Sequence, residues 1–207
     1  MSGDHGIIRD RTAIVGIGET PYTRGLAKSP LELVLDASLM AIDDAGIAPS
    51  QIDGIILPNG AASGATAGDI CANLGIEDLH YTCSFQEMGG ASVISAVEGA
   101  AIALAAGVAT FVLIPLCSPL YSLIRAKDAY QIRSLGLQSL DAIQNYYAPF
   151  GVSAPPQHYA WMTQRHMQLY GTTHEQLGAV AIAARKHAQL HPGALMRGKP
   201  LDMEGYL

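Results

Sequence analysis

Apolar positions along the chain fall into two spacings. Short apolar runs at Thr12–Gly18 (TAIVGIG) and Ile52–Pro58 (IDGIILP) have the length of strands covered on both faces, and Leu79–Ser84 and Thr110–Leu116 supply a third and a fourth strand. Between them the period changes to that of a helix. Leu31, Val34, Leu35, Ser38, Ala41, Ile42 and Ala45 recur every three or four positions and define one buried face. Ser29-Pro30-Leu31-Glu32 supplies its start, because Ser29 can accept from an orphan N–H, Pro30 suits the first helical position and Glu32 completes a capping box. Gly46 stops it.

Residues Gly60–Gly75 are small and polar and predict a loop carrying a short helix near Asp69–Leu74. Ala91–Ala106 predicts a helix of small residues able to lie close against a sheet. Strand and helix alternate, which implies parallel pairing through right-handed crossovers and an α/β fold. After Pro119 the segments become longer and wetter, carry most of the tyrosines, and include the breaker-rich PFGVSAPP at Pro149–Pro156, so this region reads as an insertion. Its last clear helix starts at a capping box, Thr172-Thr173-His174-Glu175, and runs to about Gln189 before His191-Pro192; Asp202 opens a further helix start.

Composition narrows the class. Apolar residues make up 49% and charged residues 14% of the 207 residues, enough for a packed core. The net charge is −6 and the 12 basic residues are scattered, which argues against nucleic acid as a partner. Cys71, Cys83 and Cys117 are odd in number and lack zinc-ligand spacing, so neither a disulfide framework nor a metal site is indicated. The polar start, MSGDHGIIRDRT, has no signal-peptide core, and a cytoplasmic location is the expectation. Gly99–Ile124 carries no charge, but Gly107, Pro115 and Pro119 interrupt it, so it predicts a buried helix leading into a buried strand rather than a membrane span.

The chemistry-bearing candidates are few. Gly16-Ile17-Gly18 after an apolar run is half of a dinucleotide fingerprint, yet Pro21 stands where the third glycine belongs, and a tight turn explains the pair. No nucleophile elbow, Walker loop or HExxH occurs. His158, His166, His174, His187 and His191 gather in the insertion and last helix as structural or surface residues; His166, near Tyr159, Met162 and Met167, is the one suggestive of a pocket wall. Most informative is Tyr81–Ala96, YTCSFQEMGGASVISA, where a strand leads through a glycine pair into an apolar helix. N–H groups at such a helix start carry partial positive charge and suit a developing oxyanion or enolate at Gly89 and Gly90, although glycines for close helix packing fit as well. Glu87 is a base or a cap.

These segments together resemble the thiolase superfamily, in particular the lipid-transfer or sterol-carrier-protein-X-type thiolases. The resemblance rests on AIVGIGETPYTRG (Ala13–Gly25), SPLELVLDASLMAIDDAGI (Ser29–Ile47) followed by IDGIILP, the GGAS helix followed by ALAAGVATFVLIP, and YGTTHEQLGAVAIAARKHAQLHPGA (Tyr170–Ala194). It implies the N-terminal half of a thiolase-like fold, with a mixed sheet flanked by helices over residues 1–118 and an inserted CoA-covering loop domain over 119–207, short of the half's last strand. It also implies a CoA thioester as substrate, CoA contacts at Tyr159, Met162, His166 and Met167, no bound cofactor, and a dimer formed through the strand Leu79–Ser84.

Family thiolases place a nucleophilic cysteine at the start of the helix assigned here to Ala91–Ala106. That position falls at or beside Gly90, and Cys83, seven residues upstream, is a weak substitute. The family's members that lack the cysteine are the steroid side-chain aldolases, which resemble thiolases but cleave β-hydroxyacyl-CoA by retro-aldol chemistry and associate with an OB-fold protein. The resemblance therefore implies an acyl-CoA lyase or acyltransferase relative, the missing cysteine favouring the lyase; the alternative is a non-catalytic lipid- or acyl-CoA-binding subunit that pairs with an OB-fold protein or a second thiolase half. The histidine and second cysteine used in thiolysis are absent from this sequence, so the isolated chain is expected to turn over no acyl-CoA.

Overall fold

The computed structural model describes residues 8–23, 28–58, 64–85, 90–118, 143–151 and 155–207. They form two compact units, Met1–Ser139 and Leu140–Leu207.

In the first unit, helix α1 (Pro30–Asp44) begins as its sequence dictates. Ser29 Oγ accepts from Glu32 N–H at 3.2 Å, and Glu32 Oε2 accepts from Ser29 N–H at 2.7 Å. Its inner face buries Val34, Ser38 and Ile42, and the Ser38 hydroxyl is satisfied by the Val34 carbonyl at 2.7 Å. Strand β1 (Gly54–Leu57) follows, then α2 (Ala67–Leu74), capped by Thr66 and Asp69 and ended by Gly75 at φ +69°. Strand β2 (Tyr81–Ser84), helix α3 (Ala91–Ala105) and strand β3 (Val112–Leu113) complete the unit.

The sheet order is β2-β1-β3, and both pairings are parallel, with Gly54 opposite Tyr81 on one side and Val112 on the other. The central strand is buried along its whole length. Its alternation sorts the core into two layers: Ile55 and Leu57 pack with Val34, Ile42 and Ile70 of α1 and α2, while Ile56 packs with Ala96 and Ala100 of α3. Helices thus cover both faces. Gly54 lets β3 approach, since a Cβ there would lie 2.8 Å from Val112 Cγ2.

Three expectations from sequence need correction here. Thr12–Gly18 is not a strand; it lies along α1, where Gly16 sits on the backbone of Ala41 and Ala45 and Gly18 on that of Ala37 and Ala41, too close for a Cβ at either glycine. The glycines of GIG therefore serve helix contact, neither a turn nor a phosphate. The strands expected at Leu79–Ser84 and Thr110–Leu116 are shorter, reduced to Tyr81–Ser84 and Val112–Leu113, because among the described residues each has a partner along one edge only. All the described strands are parallel, and the antiparallel member of a mixed sheet is not among them.

The second unit is helical. A π-helical turn (Ile143–Tyr147) and a 3-10 turn (Ala148–Phe150) precede α4 (Pro155–Tyr170), α5 (His174–Leu190) and α6 (Met203–Tyr206). The breaker-rich reading of 149–156 missed that Pro155 and Pro156 occupy the opening positions of α4, where a missing N–H costs nothing. The cap of α5 is also one residue later than expected: Thr173 pairs with Gln176, not Thr172 with Glu175. Helix α6 rests on α5 at Gly178, where a Cβ would meet the Tyr206 ring at 2.7 Å. Gln189 ties the intervening loop to α5, donating to the Met196 carbonyl at 2.9 Å and accepting from Gly198 N–H at 2.8 Å.

Candidate active site at the start of α3

Strand β2 delivers the chain to Phe85, and α3 begins after Gly90. Glu87 and Gly89 lie outside the described residues. Gly90 is the N-cap, with φ −62° and ψ −21°, and provides no side-chain cap; a Cβ built on it would meet nothing within 4 Å. The first turn carries no acidic residue. The positive end of a 15-residue helix is therefore not offset by a capping side chain of Gly90 or by a first-turn carboxylate. Such an end can stabilise an oxyanion through its N–H groups.

Ser92, the second residue of α3, was not singled out by the sequence. It is completely buried, and among the described residues its hydroxyl has no hydrogen-bond partner. Nothing in the spacing of GGAS distinguishes it from a serine chosen for small size.

Cys83 does not stand in for a nucleophile at the helix start. It sits within β2 opposite Ile56, half-buried, on the face that packs with Tyr81, Phe85, Ala96 and Ala100 along the body of α3. Burial pushes the Tyr81 phenol above its ordinary value, and the neighbouring Cys83 adds to the shift. Tyr81 thus remains a neutral donor near pH 7.

The four residues expected to contact CoA are on α4, in the second unit. Tyr159, Met162 and His166 share one helical face by their spacing, and Met167 lies one position round from it. Tyr159 and Met162 are exposed and Met167 is half-buried. His166 Nδ1 lies 2.9 Å from Thr172 Oγ1, and its ring tilts against Tyr170 with centroids 4.7 Å apart. A second aromatic group, Tyr147, His158 and Trp161 in mutual edge contact, joins the π-helical turn to α4. Sequence reading missed it because its residues come from elements it left unassigned. Among the described residues no cluster of His, Cys, Asp and Glu could hold a metal, and no helix is long and apolar enough to cross a membrane.

Among the described residues the site combines an α/β layer with a helix start that has no side-chain cap from Gly90 and no thiol upon it. Similar proteins are known. The chain is 32% identical over 200 residues to the steroid side-chain-cleaving aldolase of Thermomonospora curvata, matching 97% of this chain and 50% of the aldolase. It is 31% identical over 204 residues to the 17-hydroxy-3-oxo-4-pregnene-20-carboxyl-CoA lyase of Mycobacterium tuberculosis, 97% of this chain and 51% of the lyase. Identity to an acetyl-CoA acetyltransferase of Methanothermobacter thermautotrophicus is lower, 26% over 88% of the chain and 46% of that enzyme.

Among solved structures, the Ltp2-ChsH2(DUF35) aldolase superposes with a TM-score of 0.79 at 32% identity, over 93% of this chain and 47% of that one. No family model matches the chain. The chain is a homologue of the thiolase-like steroid side-chain aldolases, and it spans about half the length of the curated relatives it matches.

Proposed function

We propose that the chain is the part of a thiolase-fold acyl-CoA lyase that carries the enolate-binding helix start, and that its chemistry is retro-aldol cleavage of a β-hydroxyacyl-CoA with a bulky, sterol-like acyl group. The observation that carries this reading is Gly90 at the α3 N-cap, open to a ligand and without a thiol, in a chain more similar to two aldol-type enzymes than to the acetyltransferase.

In a retro-aldol step a base removes the β-hydroxyl proton, the oxygen forms a carbonyl, and the Cα–Cβ bond breaks. Its electron pair passes to the thioester as an enolate, which is then protonated at Cα. The protein needs a base and N–H donors at the enolate oxygen; it needs no nucleophile. In the proposed site the α3 start, with Gly89 and Gly90, supplies the donors. Glu87 is retained as a base or a cap, and Tyr159, Met162, His166 and Met167 as contacts for the pantetheine arm. Cys83 has no role in bond cleavage. The further acid–base groups that cleavage needs come from the length that the relatives have and this chain does not span, so the 207 residues alone are expected to turn over no acyl-CoA.

A partner protein, of the kind that gives the Ltp2-ChsH2(DUF35) aldolase its two-part name, is part of the same reading. So is dimerisation along the free edge of β2. The test is to assemble the chain with the complementary half of the T. curvata aldolase and supply 17-hydroxy-3-oxo-4-pregnene-20-carboxyl-CoA. Breaking the bond between the hydroxyl-bearing ring carbon and Cα would release a 17-ketosteroid and propionyl-CoA. Their appearance supports the reading; an assembled complex that binds the thioester but never cleaves it leaves only a lipid- or acyl-CoA-binding subunit.

A further inference from the structure

Ser38 and Ser92 are the buried polar side chains among the described residues, and their hydroxyls stand in opposite conditions. Ser38 lies midway along α1 and donates to the Val34 carbonyl one turn earlier, at 2.7 Å. Ser92 has no such recourse. It is the second residue of α3, so no helical turn precedes it to offer a carbonyl, and its hydroxyl has no hydrogen-bond partner among the described residues.

An unpaired hydroxyl in a buried place costs on the order of tenfold in an equilibrium constant, and packing does not call for one here. The other residues buried along this helix are Ala96, Ala100 and Ala103, of which Ala96 and Ala100 pack with Ile56 of the central strand. Alanine at position 92 would continue that row without the cost. The exception stands at the end of the row nearest the helix start, where Gly90 brings no capping side chain. A Cα–Cβ bond in a helix tilts toward the N-terminus, so the Ser92 side chain leans toward that start.

We infer that Ser92 is a positioning residue for an acyl-CoA thioester at the start of α3. Its hydroxyl, too covered to touch the ligand itself, acts through the backbone. When the N–H groups of the first turn take up the thioester oxygen, a backbone group comes within reach of the hydroxyl and the missing bond forms. The cost carried by the empty site is relieved on binding, and that difference between the two states adds to affinity. Free CoA, which has no thioester carbonyl, gains nothing from it. The inference rests on the proposed function only in placing a thioester at this helix start, not in the cleavage that follows.

The experiment titrates propionyl-CoA and free CoA into the chain assembled with the complementary half of the T. curvata aldolase, as parent and as Ser92→Ala. The variant should melt about 2–5 °C higher than the parent, since an orphaned hydroxyl is gone. It should nonetheless bind propionyl-CoA about tenfold more weakly, and free CoA within about twofold of the parent. A merely structural serine would move the melting temperature alone, so equal affinity for propionyl-CoA overturns the inference. So does a lower melting temperature, which would give the hydroxyl a partner in the empty site. An equal loss for free CoA, or a parent complex that binds no propionyl-CoA, overturns it as well. If the variant does not assemble, amide exchange in the parent complex decides: propionyl-CoA, and not free CoA, should slow residues 91–95, and unchanged exchange overturns the inference. Propionyl-CoA binding that depends on Ser92, in a complex unable to cleave the 17-hydroxy-steroid thioester, would sink the retro-aldol reading and leave this inference standing.

Discussion

The Asp53 carboxylate reaches across 57 residues to accept from the Thr110 N–H with both oxygens, and it also accepts from the Phe111 N–H, each at 2.8 Å. It thereby fixes where β3 meets the central strand.

Burial raises the Asp53 pKa, but the bonds from Phe111 and Thr110 together outweigh it and leave the group below the ordinary carboxylate value. With the folded value depressed, the stabilisation is complete above the unfolded value of about 3.9 and is lost as pH falls through the lower folded one. Asp53→Asn should cost about 1–2 kcal/mol at neutral pH, by loss of charge-assisted bonds. Urea melts at pH 7 and pH 3 should show the gap between parent and variant closing in acid; a gap that stays constant would contradict this role.

Gly18 marks where the amino-terminal segment rests on α1. Gly18→Val should lower the melting temperature of the first unit and cost about 1–3 kcal/mol, because the new side chain overlaps the α1 backbone. A variant as stable as the parent would mean that the segment does not dock there in solution.

These two sites show what the sequence could and could not reveal. Ser29 and Glu32, and the buried period from Val34 to Ile42, identify α1 because a helix start and a helix face are local patterns. The order of strands and helices was legible for the same reason. The pairing of Thr12–Gly18 was not, since an apolar run with glycines reads as a buried strand whether or not a neighbour is there to pair with it. Likewise Gly89-Gly90 marked a helix start, but the solitary hydroxyl of Ser92 depends on what surrounds it, which spacing does not encode.

Gly178 and Tyr206 should be energetically coupled. Gly178→Ala pushes against the Tyr206 ring and Tyr206→Ala removes it, so the double variant should be more stable than the sum of the two losses by about 0.5–2 kcal/mol. Thermal melts of the four proteins measure this directly, and strict additivity would place α6 elsewhere.

Strand β2 occupies one edge of the described sheet, with Thr82 and Ser84 exposed. An edge of this kind left bare in water is prone to pairing. Light scattering on a size-exclusion column should show a dimer at micromolar concentration, and Thr82→Pro should shift it to monomer. A monomeric parent protein would remove this edge as the interface.

The proposed carbon–carbon lyase chemistry is tested most directly by product analysis of the chain assembled with the complementary half of the T. curvata aldolase, with and without Cys83→Ala. The account predicts retro-aldol cleavage of the 17-hydroxy-steroid thioester that Cys83→Ala leaves within about twofold of the parent, together with no thiolysis of acetoacetyl-CoA. Robust acetoacetyl-CoA thiolysis that disappears in Cys83→Ala would contradict it, and would move the reactive centre from the start of α3 to the β2 strand.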